Sequence, residues 1–244
     1  MNPEAFVEMA ATESTHWWFC ARRKILDRII GTMKLPHEAR VLEVGSGTGG
    51  NLLMLSHHGQ VSAVEMDEYA RRISSEKTHG RFDIRAGNCP DNIPFPGEQF
   101  DLICMFDVLE HIEEDVNTLV ALRKHLALNG RMLITVPAYP WLWSAHDVFL
   151  HHKRRYTARN LHGILKQSGL RIDRLTYFNT LLLPLAALSR LKDRITPGKK
   201  SSGTEIPPSF INAILKAIFA SERHMLSSFD FPAGVSLLGI ARAE

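Results

Sequence analysis

The segment that most restricts the fold is Val41-Leu42-Glu43-Val44-Gly45-Ser46-Gly47-Thr48-Gly49-Gly50, an apolar run of strand character that empties into closely spaced glycines. Without a Cβ, the backbone there can turn sharply and approach a ligand closely. A strand that ends this way opens a strand-turn-helix unit with its ligand at the strand's carboxyl end. Further such units should follow along the chain.

They do. Short β-branched or apolar runs alternate with longer stretches of helical spacing. Strands are expected at Arg40 to Val44, Val61 to Glu65, Phe82 to Ala86, Phe100 to Phe106, Arg131 to Val136, Arg171 to Tyr177 and Val235 to Ala241. Helices are expected from near Gly49, over about Asp67 to Lys77, and over about Glu114 to Leu128, the last closed by Asn129-Gly130. Right-handed crossovers then impose a parallel sheet with helices on both faces, and ligands bind beyond the carboxyl ends of its strands. The fold class is α/β, a doubly wound seven-stranded sheet.

A chain of 244 residues accommodates one such domain with elaborations. Residues 1–35 read as an N-terminal helical cap, 36–178 as the binding core, 179–230 as a helical insert or lid, and 231–244 as the last strand. Within the insert, Thr196 to Gly203 is expected to be a mobile loop, because Gly, Ser and Pro disfavour both regular structures.

A net charge of +3 is too small to argue for nucleic acid, and none is expected as a partner. Cys20, Cys89 and Cys104 are odd in number and lack metal-type spacing, which suggests a reducing, cytoplasmic setting. The leading segment carries Glu4, Glu8 and Glu13 without a basic head and apolar core, so no secretory signal is expected. Leu181 to Leu188, interrupted by Pro184, is far too short to span a bilayer.

Two cofactor chemistries compete for the glycine loop. Gly45, Gly47 and Gly50 fit the dinucleotide spacing and Glu65 stands where a ribose-binding acid belongs, which would make the chain an NAD-dependent oxidoreductase. Glu43 favours the other choice. A carboxylate just before the loop repels a pyrophosphate and attracts a cationic amino group.

The acid before a Gly-x-Gly-x-Gly loop and the acid ending the second strand, here Glu43, Gly45, Gly47, Gly49 and Glu65, resemble the class I S-adenosylmethionine-dependent methyltransferases. Ala86-Gly87-Asn88-Cys89, Ile93-Pro94-Phe95-Pro96 and Phe100 through Ile112 extend the resemblance. It implies a Rossmann-like sheet with an antiparallel final strand and S-adenosylmethionine as cofactor. Asn88 stands where the family usually has an Asp for the adenine amino group, and an amide oxygen can accept the same bond. Met66 and Cys89 would wall the adenine, and Asp107 joins the cofactor set.

His16-Trp17-Trp18-Phe19 with Arg22-Arg23, the run Val136 through Trp143, Arg154-Arg155-Tyr156 and Pro232 through Ser236 resemble a bacterial group of these enzymes. That group is often associated with glycosyltransferases and surface glycolipid pathways. The resemblance puts Trp18 and Arg22 near the methionine end of the cofactor. It implies a small-molecule or lipid-linked glycan acceptor, methylated on oxygen. A non-catalytic cofactor-binding partner of a glycosyltransferase is the further alternative.

An alcohol acceptor requires proton removal, for which a neutral His or a carboxylate is suited. His111 after the fourth strand, and His146 with Asp147 after the fifth, are the candidate bases. Tyr139, His151, Arg154, Arg155 and Tyr156 are candidate acceptor contacts, the guanidinium groups for an anionic group. His146, Asp147, His151 and His152 can also be read as metal ligands, but no metal is expected. In the insert, Leu181, Leu182, Leu185, Leu188 and Leu191 form one apolar face, and Phe210, Ile211, Ile214, Leu215, Ile218 and Phe219 another. Arg190, Lys192 and Arg194 gather at the far end of the first. These faces suggest a lid over the acceptor and a peripheral contact with the inner membrane surface.

Overall fold

The computed structural model describes residues 3–195 and 205–244. Two helices lead, α1 (Pro3–Thr12) and α2 (Trp17–Thr32). The strands are β1 (Arg40–Val44), β2 (Gln60–Glu65), β3 (Asp83–Ala86), β4 (Phe100–Phe106), β5 (Leu126–Pro137), β6 (Leu170–Phe178) and β7 (Ser236–Ala243). Between them lie α3 (Leu52–Leu55), α4 (Glu68–Lys77), α5 (Asp115–Arg123), α6 (Ala145–Phe149), α7 (Ala158–Gln167), α8 (Leu183–Ile195) and α9 (Ser209–Met225).

All seven expected strands form one sheet in the order β3-β2-β1-β4-β5-β7-β6. The first five are parallel, and β7 runs antiparallel between β5 and β6. A doubly wound dinucleotide sheet has its sixth strand beside the fifth. Here β7 is inserted between them, as the resemblance implied. The order reverses at β1 and β4, which opens a crevice above their carboxyl ends.

Helices cover both faces because the strands are apolar on both sides. On one face Val41, Ala63, Leu102, Cys104 and Leu133 pack with Ile25, Ile29 of α2, Leu52 of α3 and Phe219 of α9. On the other, Leu42, Ile103, Met105 and Ile134 pack with Leu119 of α5 and Leu161 of α7. Side-chain caps fix two starts: Asp67 accepts from the Ala70 amide at 2.9 Å, and Thr157 from Asn160 at 3.2 Å.

Two expectations are corrected. The helix foreseen from near Gly49 starts at Leu52 and lasts only four residues. The helix foreseen to Leu128 ends at Arg123, since Leu126 already pairs with Phe100 in the sheet. Asn129-Gly130 does turn the chain, with Asn129 at φ 67°, but as an irregularity within β5. A Cβ on Gly130 would lie 2.7 Å from the Phe100 carbonyl, which explains the glycine.

Of the insert, α9 packs along α2 and α8 lies over the turn at Pro140–Leu142, rather than mainly on each other. Thr196 to Gly203, expected to be mobile, and the side chain of Arg194 lie outside the described residues. Among the described residues no helix is long and apolar enough to cross a membrane.

Candidate active site

A single cleft of about 1730 Å³ opens above β1, β2, β4 and β5 and runs beneath α1 and α8. That exceeds the roughly 300–1,000 Å³ of a site for one drug-sized ligand, so two molecules can share it. Its first end is built by the glycine loop. Gly45 turns at φ 70°, and a Cβ there would strike Val108 at 2.7 Å; Gly49 turns at φ 78° against Ser74. The loop amides Gly45 and Ser46 bond to the Val64 carbonyl, which ties the loop to the end of β2.

Glu65 ends β2, buried, and accepts from the backbone amides of Gly47 at 2.8 Å and Asp67 at 2.9 Å. A carboxylate has about four lone-pair positions, so two remain for hydroxyl donors. Burial raises its pKa above the usual range, and the two amide bonds work against that rise.

Of the expected cofactor residues, Trp18, Arg22, Gly45, Gly47, Glu65, Met66, Asn88, Cys89 and Asp107 all line the cleft. Arg22 is buried, pairs with Asp107 and stacks 4.4 Å over the Trp18 ring. Asp107 sits at φ 56°, a left-handed conformation held by its amide bond to Thr135. Met66 is 74% exposed and Asn88 is tied to Asn92 through backbone bonds on both sides.

Glu43 and Gly49 lie behind this lining. Glu43 accepts from Asn51 at 2.8 Å beneath the loop, and burial pushes its pKa up to about 8. At neutral pH it is therefore largely protonated and braces the loop rather than presenting a full charge to the cleft. Sequence reading missed two neighbours. Asn51 is the brace's other half, and Glu13 after α1 bonds Thr48 at 2.8 Å and Lys77, tying the leading helix to the loop.

Three residues that line the cleft each carry a buried side-chain atom with no hydrogen-bond partner: Ser46 Oγ, Asn51 Oδ1 and Arg22 Nε. Buried polar groups are almost always paired, so a polar ligand is expected there. The remaining acceptor positions of Glu65, an apolar wall at Cys89 and these polar groups suit S-adenosylmethionine.

The cleft's other end carries His111, His146 and His152, with Glu110 and Arg155. His111 ends the short turn Leu109–His111; burial depresses its pKa to about 3, so its imidazole is neutral. His146 lines the cleft from α6. Asp147 beside it is fully buried, receives Arg155 Nε at 2.7 Å and His152 Nδ1 at 2.9 Å, and closes a capping box with Ser144. Its pKa is held well below the carboxylate range by those partners against the opposing effect of burial. Such a group is a poor proton acceptor and a strong anchor.

Of the expected acceptor contacts, only Arg155 lines the cleft. Tyr156 is a core residue whose hydroxyl meets Asp115 and the Leu109 carbonyl. Arg154 pairs with Asp115 and Glu113, Tyr139 stacks between Tyr177 and Trp141, and exposed His151 turns the loop at φ 57°. The cationic stretch therefore fastens the loop after β5 to the loop after β4. Of the four residues first read as metal ligands, Asp147 and His152 meet, but the four do not form one ligand group; Glu110, His111 and His152 do.

A family model for a methyltransferase domain matches residues 15–175, well over half the chain. An uncharacterized methyltransferase of Staphylococcus carnosus is 35% identical over 100 residues, covering 40% of this chain and 46% of its own. A probable S-adenosylmethionine-dependent methyltransferase of Mycolicibacterium smegmatis is 26% identical over 164 residues, covering 65% and 61%. The matches thus span about half to three fifths of these relatives' length. The putative methyltransferase of Haloferax volcanii, solved in complex with the Trm112 methyltransferase activator, superposes with a TM-score of 0.62 at 15% identity, covering 95% of this chain and 90% of that one. At that identity it speaks for the fold alone. Sheet order, glycine loop and family match agree: the chain belongs to the methyltransferase domain family, the class I S-adenosylmethionine-dependent fold.

Proposed function

We propose that the chain transfers a methyl group from S-adenosylmethionine to an oxygen of a sugar, a lipid-linked glycan or another small molecule. The observation that carries this is the continuity of the cleft, from the glycine loop and Glu65 at one end to His111 and His146 at the other. S-adenosylmethionine supplies an electrophilic methyl carbon on a sulfonium. The chain's task is to align an oxygen with that carbon, shed water and take up a proton.

Glu65 would hold the ribose, and Asn88 and Cys89 the adenine. Arg22, fixed by Asp107 and Trp18, would set the methionine end. His146 then remains as the base on α6, because Asp147 is committed to Arg155 and His152. Mass spectrometry of surface polysaccharides and lipids from a strain lacking the chain tests the acceptor: one glycan should lose one methyl mass. A full set of methylated glycans would contradict it.

The lipid-linked form of the reading draws on α8. Leu182 just ahead of α8 and Leu185 and Ala186 within it line the cleft, while Leu188 and Leu191 of α8 and Phe210, Ile211 and Ile214 of α9 are exposed. Exposed apolar faces of this kind favour an interfacial contact. Flotation with anionic liposomes at low salt should carry the chain upward; a chain that stays in the dense fraction does not use these faces on lipid.

A further inference from the structure

We propose that Glu110, His111 and His152 bind one divalent metal ion on the wall of the cleft. Their ligand atoms all lie within 4.8 Å of one another. Two ligands at about 2.1 Å from one ion stand at most about 4.2 Å apart, so a slight contraction suffices. His152 Nε2 already lies 3.9 Å from Glu110 Oε1, and the His111 and His152 rings meet edge to face at 4.7 Å.

The independent observation is Glu110 itself. It is completely buried, and neither carboxylate oxygen has a hydrogen-bond partner. The nearby guanidinium groups are engaged elsewhere, Arg22 with Asp107 and Arg155 with Asp147. A buried carboxyl without partners is costly, and a cation removes the cost.

The surroundings orient the ligands as metal sites do. Asp147 binds His152 at Nδ1, which places the ring proton there and leaves the Nε2 lone pair for the ion. Arg155 grips Asp147 through Nε and through Nη2 at 3.0 Å, so the orienting carboxylate is itself fixed. The Lys153 amide bonds the Glu110 carbonyl at 2.9 Å and clips the two ligand-bearing loops together.

Two imidazoles and a carboxylate suit zinc, manganese, cobalt or ferrous iron better than calcium. Three protein ligands leave positions open toward the cleft. If the acceptor is an alcohol, as proposed above, the ion would bind its oxygen and ease loss of the proton; only this role rests on that reading.

Chelator-treated protein titrated with manganese and cobalt, read by electron paramagnetic resonance and visible absorption, tests the site without any turnover. One ion per chain is expected, with about 10-fold or greater weakening in Glu110→Gln and in His111→Ala. S-adenosylhomocysteine affinity should persist in both, which reports that they are folded. No stoichiometric binding by wild-type protein at millimolar ion would overturn the proposal, whatever the variants do. So would equal binding by wild type and a folded Glu110→Gln.

Discussion

Asp147 and His146 are neighbours with opposite fates. The loop after β5 marked both as bases, but proximity along the chain does not reveal that Arg155 and His152 converge on Asp147. Asp147→Asn should therefore lower stability by about 3–5 kcal/mol, as breaking a buried ion pair does, seen as an earlier urea midpoint. His146→Ala should leave the midpoint in place and reduce turnover about 100-fold. The reverse pattern would make Asp147 the base. Glu43 offers a pH test. Its pKa rises from 4.5 to about 8 on folding, so its contribution is complete below the unfolded value and is lost as pH climbs through the folded one. The stability difference between wild type and Glu43→Gln should move against wild type from about pH 5 to pH 8; a constant difference would deny the shift.

Elements were more legible than sites, and the reason lies in range. Strand periodicity and glycine spacing are local, so β1 to β7 could be located closely. The end of α5 was misplaced because Leu126 leaves the helical pattern only to pair with Phe100, a partner in another element. The residues expected at the cofactor cluster in motifs, and most of them line the cleft; of those expected at the acceptor only Arg155 does, because Arg154 and Tyr156 turn toward Asp115. Glu222 escaped notice for the same reason. It reads as the polar face of α9, yet it is buried and accepts from the amides of Asn179 at 2.7 Å and Leu181 at 2.8 Å, just ahead of α8. Glu222→Ala would strand both amides, at about 1–3 kcal/mol each. Hydrogen exchange should accelerate at Asn179 and Leu181; unchanged protection there would show that α8 does not depend on this clamp.

At the scale of the whole molecule, the parallel half of the sheet presents its strand ends to one cleft, and α1, α2 and α8 wall it. Glu13 joins α1 to the glycine loop through Thr48 and Lys77, Arg22 joins α2 to the end of β4, and Glu222 sets the start of α8. Helices outside the alternating core thus wall the cleft; a cap and a lid are expected from the sequence, but the ties through Glu13, the Arg22–Asp107 pair and Glu222 are not. Calorimetric titration with S-adenosylhomocysteine, set beside NADH, tests the cofactor assignment on which the rest depends. One site of micromolar affinity is expected for S-adenosylhomocysteine and none for NADH, with Glu65→Ala weakening binding by about 1.5–3 kcal/mol. Binding of NADH instead, or an affinity for S-adenosylhomocysteine unchanged by Glu65→Ala, would contradict it.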